Sequence, residues 1–224
     1  GPESETKLLS VKGGTVRTVR PTPTVSAQCE LAKGASFHLD SSDTNFFWTV
    51  EADGKTYVQR WYSTAGGNFA AQTTAASRPW LNDDPAALLN GKPVVDFGEY
   101  VNANDSRGKW MSFANSLCSV RSAFVVRGSQ AGGGTFLGEV YNGTVRNCLD
   151  FYRNSSTAGL DVPYIASSVV SYVKNADFYV DGVKTNCYTA LPTGGYELVD
   201  IHPLSGAHVS APAATRGTGQ FGGQ

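Results

Sequence analysis

The sequence predicts an all-β protein, a two-sheet antiparallel sandwich, and three observations support this. Apolar and polar residues alternate over many short stretches, which is typical of half-buried strands. The 25 glycines and 10 prolines among the 224 residues supply frequent turns. Only one short segment, 85–89, has the pattern of a helix, with 82–84 as its cap and Asn90-Gly91 as its end.

The predicted strands follow one another in chain order, separated by segments rich in glycine, asparagine and aspartate. They span residues 35–39, 46–50, 56–61, 94–97, 110–113, 120–127, 135–137, 148–153, 169–173, 178–180 and 196–202. Asp53-Gly54 and Asp181-Gly182 each stand between two alternating runs, which predicts a tight hairpin of type I′ at both places.

The segment 1–28 differs from the rest of the chain. Gly1-Pro2 is typical of the scar left when a tag is cleaved, and a basic leader follows that ends in Pro21-Thr22-Pro23. The runs 7–11 and 15–19 predict a small hairpin within this leader. We expect the folded domain to span residues 29–224.

Charge and hydropathy exclude two classes of function. The net charge is −1 and the charged residues are interspersed, so no basic stripe suited to phosphates is present and nucleic acid is not an expected partner. No apolar run approaches the roughly 18 residues that a membrane-spanning helix needs, so membrane insertion is not expected.

The four cysteines are widely spaced and form no C-x-x-C unit, which argues against zinc and thioredoxin-like chemistry. Two disulfides are expected, and buried free thiols are the alternative. If strands 120–127 and 135–137 form a hairpin and 148 opens the next strand, Cys118 pairs with Cys148. Cys29 then pairs with Cys187.

Five stretches together are similar to one family of domains. They are residues 36–44 (SFHLDSSDT), 60–63 (RWYS), 76–79 (ASRP), 89–98 (LNGKPVVDFG) and 120–126 (VRSAFVV). In order and spacing they resemble the laminin-G-like, concanavalin A-like jelly-roll domains of large bacterial surface proteins, from about residue 37 to the end.

The resemblance implies a jelly-roll sandwich that recognises glycans or proteins in adhesion, sometimes with calcium, in a secreted or cell-surface protein with further domains. In such domains a segment like 220–224 leads into a last core strand. We therefore expect that strand to have been cut away, to be replaced by the leader, or to come from another segment.

No catalytic motif is found, so the chain is not expected to be an enzyme. Glu51 and Asp53 have the spacing of a glycosidase pair, but the turn at Gly54 explains Asp53. Glu197 and Asp200 are predicted on opposite faces of one strand. The histidines lack the G-x-S-x-G and H-E-x-x-H patterns, and His38 is interpreted as structural.

A sugar site needs an aromatic platform and planar polar groups. Candidates of this kind occur in predicted loops and at strand ends: Trp80, Asn82, Asp83, Tyr100, Asn102, Asn104, Tyr141, Tyr152 and Arg153. Trp48, Trp61 and Trp110 lie inside strand patterns and are interpreted as core. For calcium, the candidate ligands are Asp40, Asp43 and Asn45, with turn formation as the alternative.

These patterns predict a non-catalytic carbohydrate-binding or adhesive module. The alternatives are a protein-interaction or stalk domain without glycan binding and, less expected, a glycoside hydrolase on the same fold. Expected partners are a glycan or a surface protein, and the other domains of the same polypeptide. No cofactor besides calcium is expected.

Overall fold

A computed structural model describes residues 8–11, 14–17, 34–98, 109–115, 117–128, 135–137, 151–153, 163–165, 175–185 and 196–209. The chain divides into two compact units, residues 1–97 and residues 98–224. We describe each unit by itself.

Antiparallel strands form most of the described structure. Unit 1 contains β1 (Leu8–Val11), β2 (Gly14–Arg17), β3 (Phe47–Ala52), β4 (Lys55–Tyr62), β5 (Phe69–Ala71), β6 (Trp80–Asn82) and β7 (Val94–Asp96). Unit 2 contains β8 (Ser112–Phe113), β9 (Leu117–Val120), β10 (Ala123–Gly128), β11 (Thr135–Leu137), β12 (Phe151–Arg153), β13 (Pro163–Ile165), β14 (Asp177–Val180), β15 (Val183–Thr185), β16 (Tyr196–His202) and β17 (Ala207–Val209).

Within the described part of the chain no α-helix forms, and two short 3-10 helices span Thr44–Phe46 and Ala75–Ser77. The prediction of an all-β protein with antiparallel sheets is therefore confirmed.

In unit 1 the strands β1 to β5 pair in chain order, and β6 pairs with both β4 and β7. The predicted hairpin near the N-terminus is formed by β1 and β2, with Val11 opposite Gly14. Its second strand also pairs with β3 through Val16 and Val50. The segment assigned to a leader thus extends the sheet of this unit.

In unit 2 the largest sheet has the order β10-β16-β14-β15. Two smaller sheets consist of β11-β12-β13 and of β9 with β17. The described strands do not form the predicted hairpin of 120–127 with 135–137, since β10 lies in one sheet beside β16 and β11 lies in a separate sheet beside β12. Although β10 and β11 follow one another in the chain, they therefore do not pair with each other.

Both predicted tight turns are confirmed. Asp53 and Gly54 have φ of 50° and 71°, and Asp181 and Gly182 have φ of 49° and 77°, which is the left-handed backbone of a type I′ turn. The turns join β3 to β4 and β14 to β15.

The predicted helix at 85–89 does not form. Its last residue, Leu89, makes two backbone hydrogen bonds with Lys92, of 3.0 and 2.9 Å, across Asn90-Gly91. Asn90 and Gly91 have φ of 52° and 73°. A tight reversal therefore takes up the end of the segment, and the residues before it form only a turn.

Two other strand predictions are wrong in detail, and a third stays a prediction. Residues 35–39 form no strand, and His38 is held beside the end of β4 by a hydrogen bond from its N–H to Ser63 Oγ of 2.9 Å. The predicted strand 120–127 is split into β9 and β10 by Arg121 and Ser122. The strand predicted at 169–173 lies outside the described residues.

The core of each unit follows from side-chain alternation. In unit 1 Phe47 and Trp61 are directly opposite on β3 and β4, and their rings stack with centroids 5.3 Å apart. In unit 2 β16 buries every second residue, Glu197, Val199 and Ile201. Burying one such aliphatic or aromatic side chain contributes roughly 1.5–3 kcal/mol.

Candidate functional site

The candidate site lies on one face of the sheet of unit 1, and an irregularity in β4 shapes that face. Trp48 pairs with Arg60, but the next residue, Thr49, pairs with Val58, so Gln59 is one extra residue in β4. In a regular strand Tyr57 and Arg60 would point to opposite faces. The bulge brings both to the same face.

Five aromatic side chains and two cations occupy that face, which we call the aromatic face. Its members are Trp48, Lys55, Tyr57, Arg60, Tyr62, Phe69 and Trp80. The opposite face of the same strands carries the buried residues Phe47, Val58, Trp61 and Ala70. Trp61 is therefore a core residue, as predicted, whereas Trp48 lies on the aromatic face and Trp110 is half-buried.

At one end of the aromatic face, Arg60 lies between two rings. Its guanidinium carbon is 4.7 Å from the ring centroid of Trp48 and 4.9 Å from that of Phe69. Its Nη1 is 3.4 Å from Tyr62 Oη, and the rings of Tyr62 and Phe69 are 5.5 Å apart. Cation–π contacts of this kind fix the rings and leave the cation little freedom.

At the other end lies the Trp80 cluster, formed by Lys55, Tyr57, Trp80, Asn82 and Asp96. Trp80 in β6 is directly opposite Tyr57 in β4 and Asp96 in β7, so the three side chains share a face. The ammonium of Lys55 is 3.9 Å from the centroid of the Trp80 ring.

Both polar atoms of the Asn82 side-chain amide form hydrogen bonds. Its Nδ2 donates to Asp96 Oδ2 at 2.8 Å, and its Oδ1 accepts from the backbone N–H of Asp84 at 3.1 Å. A planar amide and a carboxylate are thus fixed in orientation beside the Trp80 ring. An aromatic ring beside planar polar groups is the combination that a sugar site needs.

The segment before β6 positions Trp80. Arg78 donates from Nε to Gln72 O at 3.2 Å and from Nη2 to Thr73 O at 2.8 Å. Pro79 is fully buried, and its carbonyl accepts from Val58 N–H at 2.8 Å. Burial lowers the pKa of Arg78 from its usual value.

The structure corrects the predicted setting of Trp80 and Asn82. The local pattern predicts both in a loop, but they lie in β6, which has paired neighbours on both sides. Asp83 directly follows the strand and is exposed. Of the other candidates, Tyr152 and Arg153 lie in β12, in unit 2. Tyr100, Asn102, Asn104 and Tyr141 lie outside the described residues.

Sequence reasoning missed Lys55, Tyr57 and Asp96. Their strands were recognised, but nothing in the local pattern indicates that β4, β6 and β7 become neighbours. The signal that could have found Asp96 is its place as the polar residue that ends the apolar run Val94-Val95.

The candidate calcium ligands are engaged in local turns. Asp40 Oδ1 accepts from Ser42 N–H at 2.8 Å, and Asp43 Oδ1 accepts from the backbone and side-chain nitrogens of Asn45 at 3.0 and 2.9 Å. Among the described residues no group of three or more His, Cys, Asp or Glu side chains could hold a metal ion. Calcium binding by Asp40, Asp43 and Asn45 stays a prediction.

The cysteine prediction also stays open. Cys118 lies in β9, and Cys29, Cys148 and Cys187 lie outside the described residues. For membrane insertion, the described part of the chain contains no helix long and apolar enough to cross a bilayer.

Glu51 and Asp53, which have the spacing of a glycosidase pair, both lie in the β3–β4 hairpin. Glu51 Oε2 accepts from Thr56 Oγ1 at 3.0 Å, and Asp53 occupies the β3–β4 turn. Glu197 is buried on one face of β16 and Asp200 lies on the other, as predicted.

The described elements thus define an all-β protein of antiparallel sheets, one of which carries a face of aromatic and cationic side chains. Comparison with protein-family models, with curated proteins and with solved structures finds no match to the chain.

Proposed function

We propose that this chain is a carbohydrate-recognition module and that the Trp80 cluster is its binding site. The observation that carries the proposal is the Trp80 ring on the sheet face, beside an amide and a carboxylate whose orientations are fixed by the hydrogen bond between Asn82 and Asp96.

The chemistry of a sugar fits such a cluster. One face of a pyranose ring is lined by C–H groups, which pack on an aromatic ring, and its hydroxyl groups both donate and accept hydrogen bonds. Asp96 supplies acceptors and Asn82 supplies an amide. Since the strands hold these groups in place, binding costs little side-chain entropy.

Lys55 determines how a sugar reaches the Trp80 ring. The ammonium lies over the ring, so a saccharide that stacks on this side must displace it. Because Lys55 is exposed and its side chain is flexible, the displacement costs only the exposed cation–π contact, about 0.5–1 kcal/mol.

The proposal includes the jelly-roll sandwich that the sequence resemblance implies, and an adhesive role in a secreted or surface protein with other domains. The antiparallel all-β architecture supports it. Calcium at residues 40–45 belongs to the same proposal.

The test is binding of the full chain to an array of immobilised oligosaccharides, once with calcium and once with a chelator. We expect specific binding that falls at least about tenfold in Trp80→Ala, since central aromatic side chains dominate many interfaces. Trp80→Phe keeps a ring and should retain most of the affinity. Loss of binding in chelator would support the calcium site.

Lys55→Met and Phe124→Ala are the matched variants. Removing the ammonium should preserve or strengthen binding of a neutral sugar, and removing an exposed ring in unit 2 should leave binding unchanged. Absence of binding on the array, or equal binding by Trp80→Ala in a folded state verified by circular dichroism, would contradict the proposal.

A further inference from the structure

A second cluster of polar side chains lies in unit 2, at one end of the four-stranded sheet. Asp200 and His202 are two residues apart in β16, on the face opposite the buried Val199 and Ile201. Ser122 directly precedes β10, whose first residue Ala123 pairs with Ile201. The strand pairing therefore places Ser122 beside His202, although 80 residues separate them in the chain.

The three side chains form a continuous chain of contacts. Ser122 Oγ is 2.9 Å from His202 Nδ1, and His202 Nε2 is 2.9 Å from Asp200 Oδ1. The second contact has the distance of an ion pair but not the alignment of a hydrogen bond, and Asp200 Oδ1 is buried without a hydrogen-bond partner. Asp200 thus places a carboxylate oxygen beside the imidazole without a hydrogen bond between them.

Two rings hold the imidazole in place. The ring of Phe124 meets His202 edge-on with centroids 5.8 Å apart, and Tyr179 does so at 6.0 Å. Asp177, opposite His202 on β14, is neutralised by Lys184 at 2.6 Å. The ring contacts limit rotation of the imidazole.

An apolar surface adjoins the cluster. Phe124 is 50% exposed and Val126 is 56% exposed, and both lie on the same face of β10, leading away from Ser122. A serine within hydrogen-bond reach of a histidine that also contacts a carboxylate is the arrangement of an activated nucleophile. The apolar side chains provide a surface for an apolar acyl group.

We propose that Ser122 is an activated nucleophile and that this site hydrolyses carboxylic esters with an apolar or aromatic acyl group. The inference goes beyond the proposed carbohydrate recognition. It also departs from the sequence-based expectation of a chain without catalytic activity.

The first step forms an acyl-enzyme. Ser122 Oγ attacks the ester carbonyl while its proton moves to His202 Nδ1. The C–O bond of the ester then breaks, and the leaving alcohol takes that proton from His202. Asp200 stabilises the transient imidazolium through its negative charge.

The second step restores the enzyme. A water molecule attacks the acyl group as His202 accepts its proton, the bond to Ser122 Oγ breaks, and that oxygen takes the proton back. The acid is released and Ser122 is free. The cluster consists of a nucleophile, a base and a carboxylate. Donors to the oxyanion contribute about 10²–10³ in rate in enzymes that use them. Activated esters depend less on such donors, so they are the appropriate probes.

The first experiment treats the full chain with a fluorophosphonate, which phosphonylates activated serines, and measures intact mass and the modified peptide. We expect one adduct, on Ser122, absent in Ser122→Ala and at least about 100-fold slower in His202→Gln. Ser205→Ala, which removes an exposed serine after β16, should be modified as fast as the unaltered chain.

Asp200 is a positioning residue in this proposal, so it needs its own test. Asp200→Asn should slow modification of Ser122 while its melting temperature stays unchanged, and Asp200→Glu should restore part of the rate. If Asp200 had only a structural role, Asp200→Asn would change the melting temperature and leave the rate of Ser122 modification in the folded protein unaltered.

The acyl preference is tested with p-nitrophenyl acetate and p-nitrophenyl butyrate. Phe124→Ala should raise KM for the butyrate more than for the acetate. No adduct on Ser122, or equal modification in His202→Gln, would overturn the proposal. Since these outcomes concern unit 2 alone, they are independent of sugar binding at Trp80.

Discussion

The two units use the same kind of antiparallel sheet to present different chemistry. In unit 1, cations lie on aromatic rings, with Lys55 over Trp80 and Arg60 between Trp48 and Phe69. In unit 2, aromatic edges surround a histidine that contacts a serine and a carboxylate. The first arrangement suits recognition, whereas the second suits proton transfer.

Both units contain one extra residue in one strand of a pair, and in unit 1 this residue decides which side chains share a face. In unit 1 Gln59 is the extra residue, and it brings Tyr57 and Arg60 to one face. In unit 2 the pairs Ala207–Val120 and Val209–Leu117 leave one extra residue in β9. Ser119, in that stretch, has the left-handed φ of 58°. β9 ends at Val120, two residues before Ser122.

The largest effect is expected at Gly206, which faces the irregular part of β9. A Cβ at this position would be 2.9 Å from Ser119 Cα and 3.1 Å from its Cβ. Because backbone must shift, Gly206→Ala should lower the free energy of unfolding by about 1–3 kcal/mol, measured by urea denaturation. It should also slow phosphonylation of Ser122.

Gly67 is the matched control in unit 1. A Cβ there meets no atom within 4 Å, so Gly67→Ala should be neutral or stabilising by up to about 1 kcal/mol. Equal destabilisation by the two substitutions would show that the close approach of Gly206 to Ser119 is not the cause.

A smaller effect is expected from Arg60 in unit 1. Arg60→Met keeps much of the apolar length but loses the contacts with Trp48 and Phe69, which should cost about 1 kcal/mol in the free energy of unfolding. Arg121→Met, at an exposed site in unit 2, should change stability by less than about 0.5 kcal/mol. If Arg60→Met and Arg121→Met changed the free energy of unfolding equally, stacking of Arg60 on the aromatic face would contribute nothing measurable to stability.

The smallest effect concerns the exposed pair of Asp177 and Lys184. The hydrogen bond from Lys184, followed by its charge, lowers the pKa of Asp177, and the same contact raises the pKa of Lys184. The stabilisation from Asp177 is present above the ordinary carboxyl pKa of about 3.9 and is lost as pH falls through its lowered value. The stabilisation from Lys184 is present below a pH of about 10.4 and is lost as the pH rises through the raised pKa of Lys184.

An NMR titration of the Asp177 carboxyl group measures this directly. In Lys184→Met the pKa of Asp177 should rise toward its ordinary value, whereas in Lys92→Met, which removes an exposed lysine of unit 1, it should stay lowered. An unchanged titration in Lys184→Met would mean that the ion pair does not form in solution.

Local sequence was enough for the class of the fold and for several elements. Alternation identified β3, β4, β14 and β16 to within about two residues. Asp-Gly identified two turns because few other pairs adopt left-handed φ at both positions at low cost.

Local sequence was not enough to identify short strands with little alternation. β5, β6, β13 and β17 have three residues each and went unrecognised. Such strands form because a neighbouring strand supplies hydrogen-bond partners, and that neighbour is distant in the chain. For this reason the local pattern around Trp80 predicts a loop, whereas the residue lies in β6.

Local residue patterns identified the chain as built of strands and located the turns at Asp53-Gly54 and Asp181-Gly182, and they named Trp80 among several candidate platforms. The position of Lys55, Asn82 and Asp96 around Trp80, and the contact of Ser122 with His202, come from strand pairing in the folded protein. Periodicity and turn chemistry depend on neighbouring residues, whereas strand pairing and bulges are settled by burial and hydrogen bonding over the whole sheet.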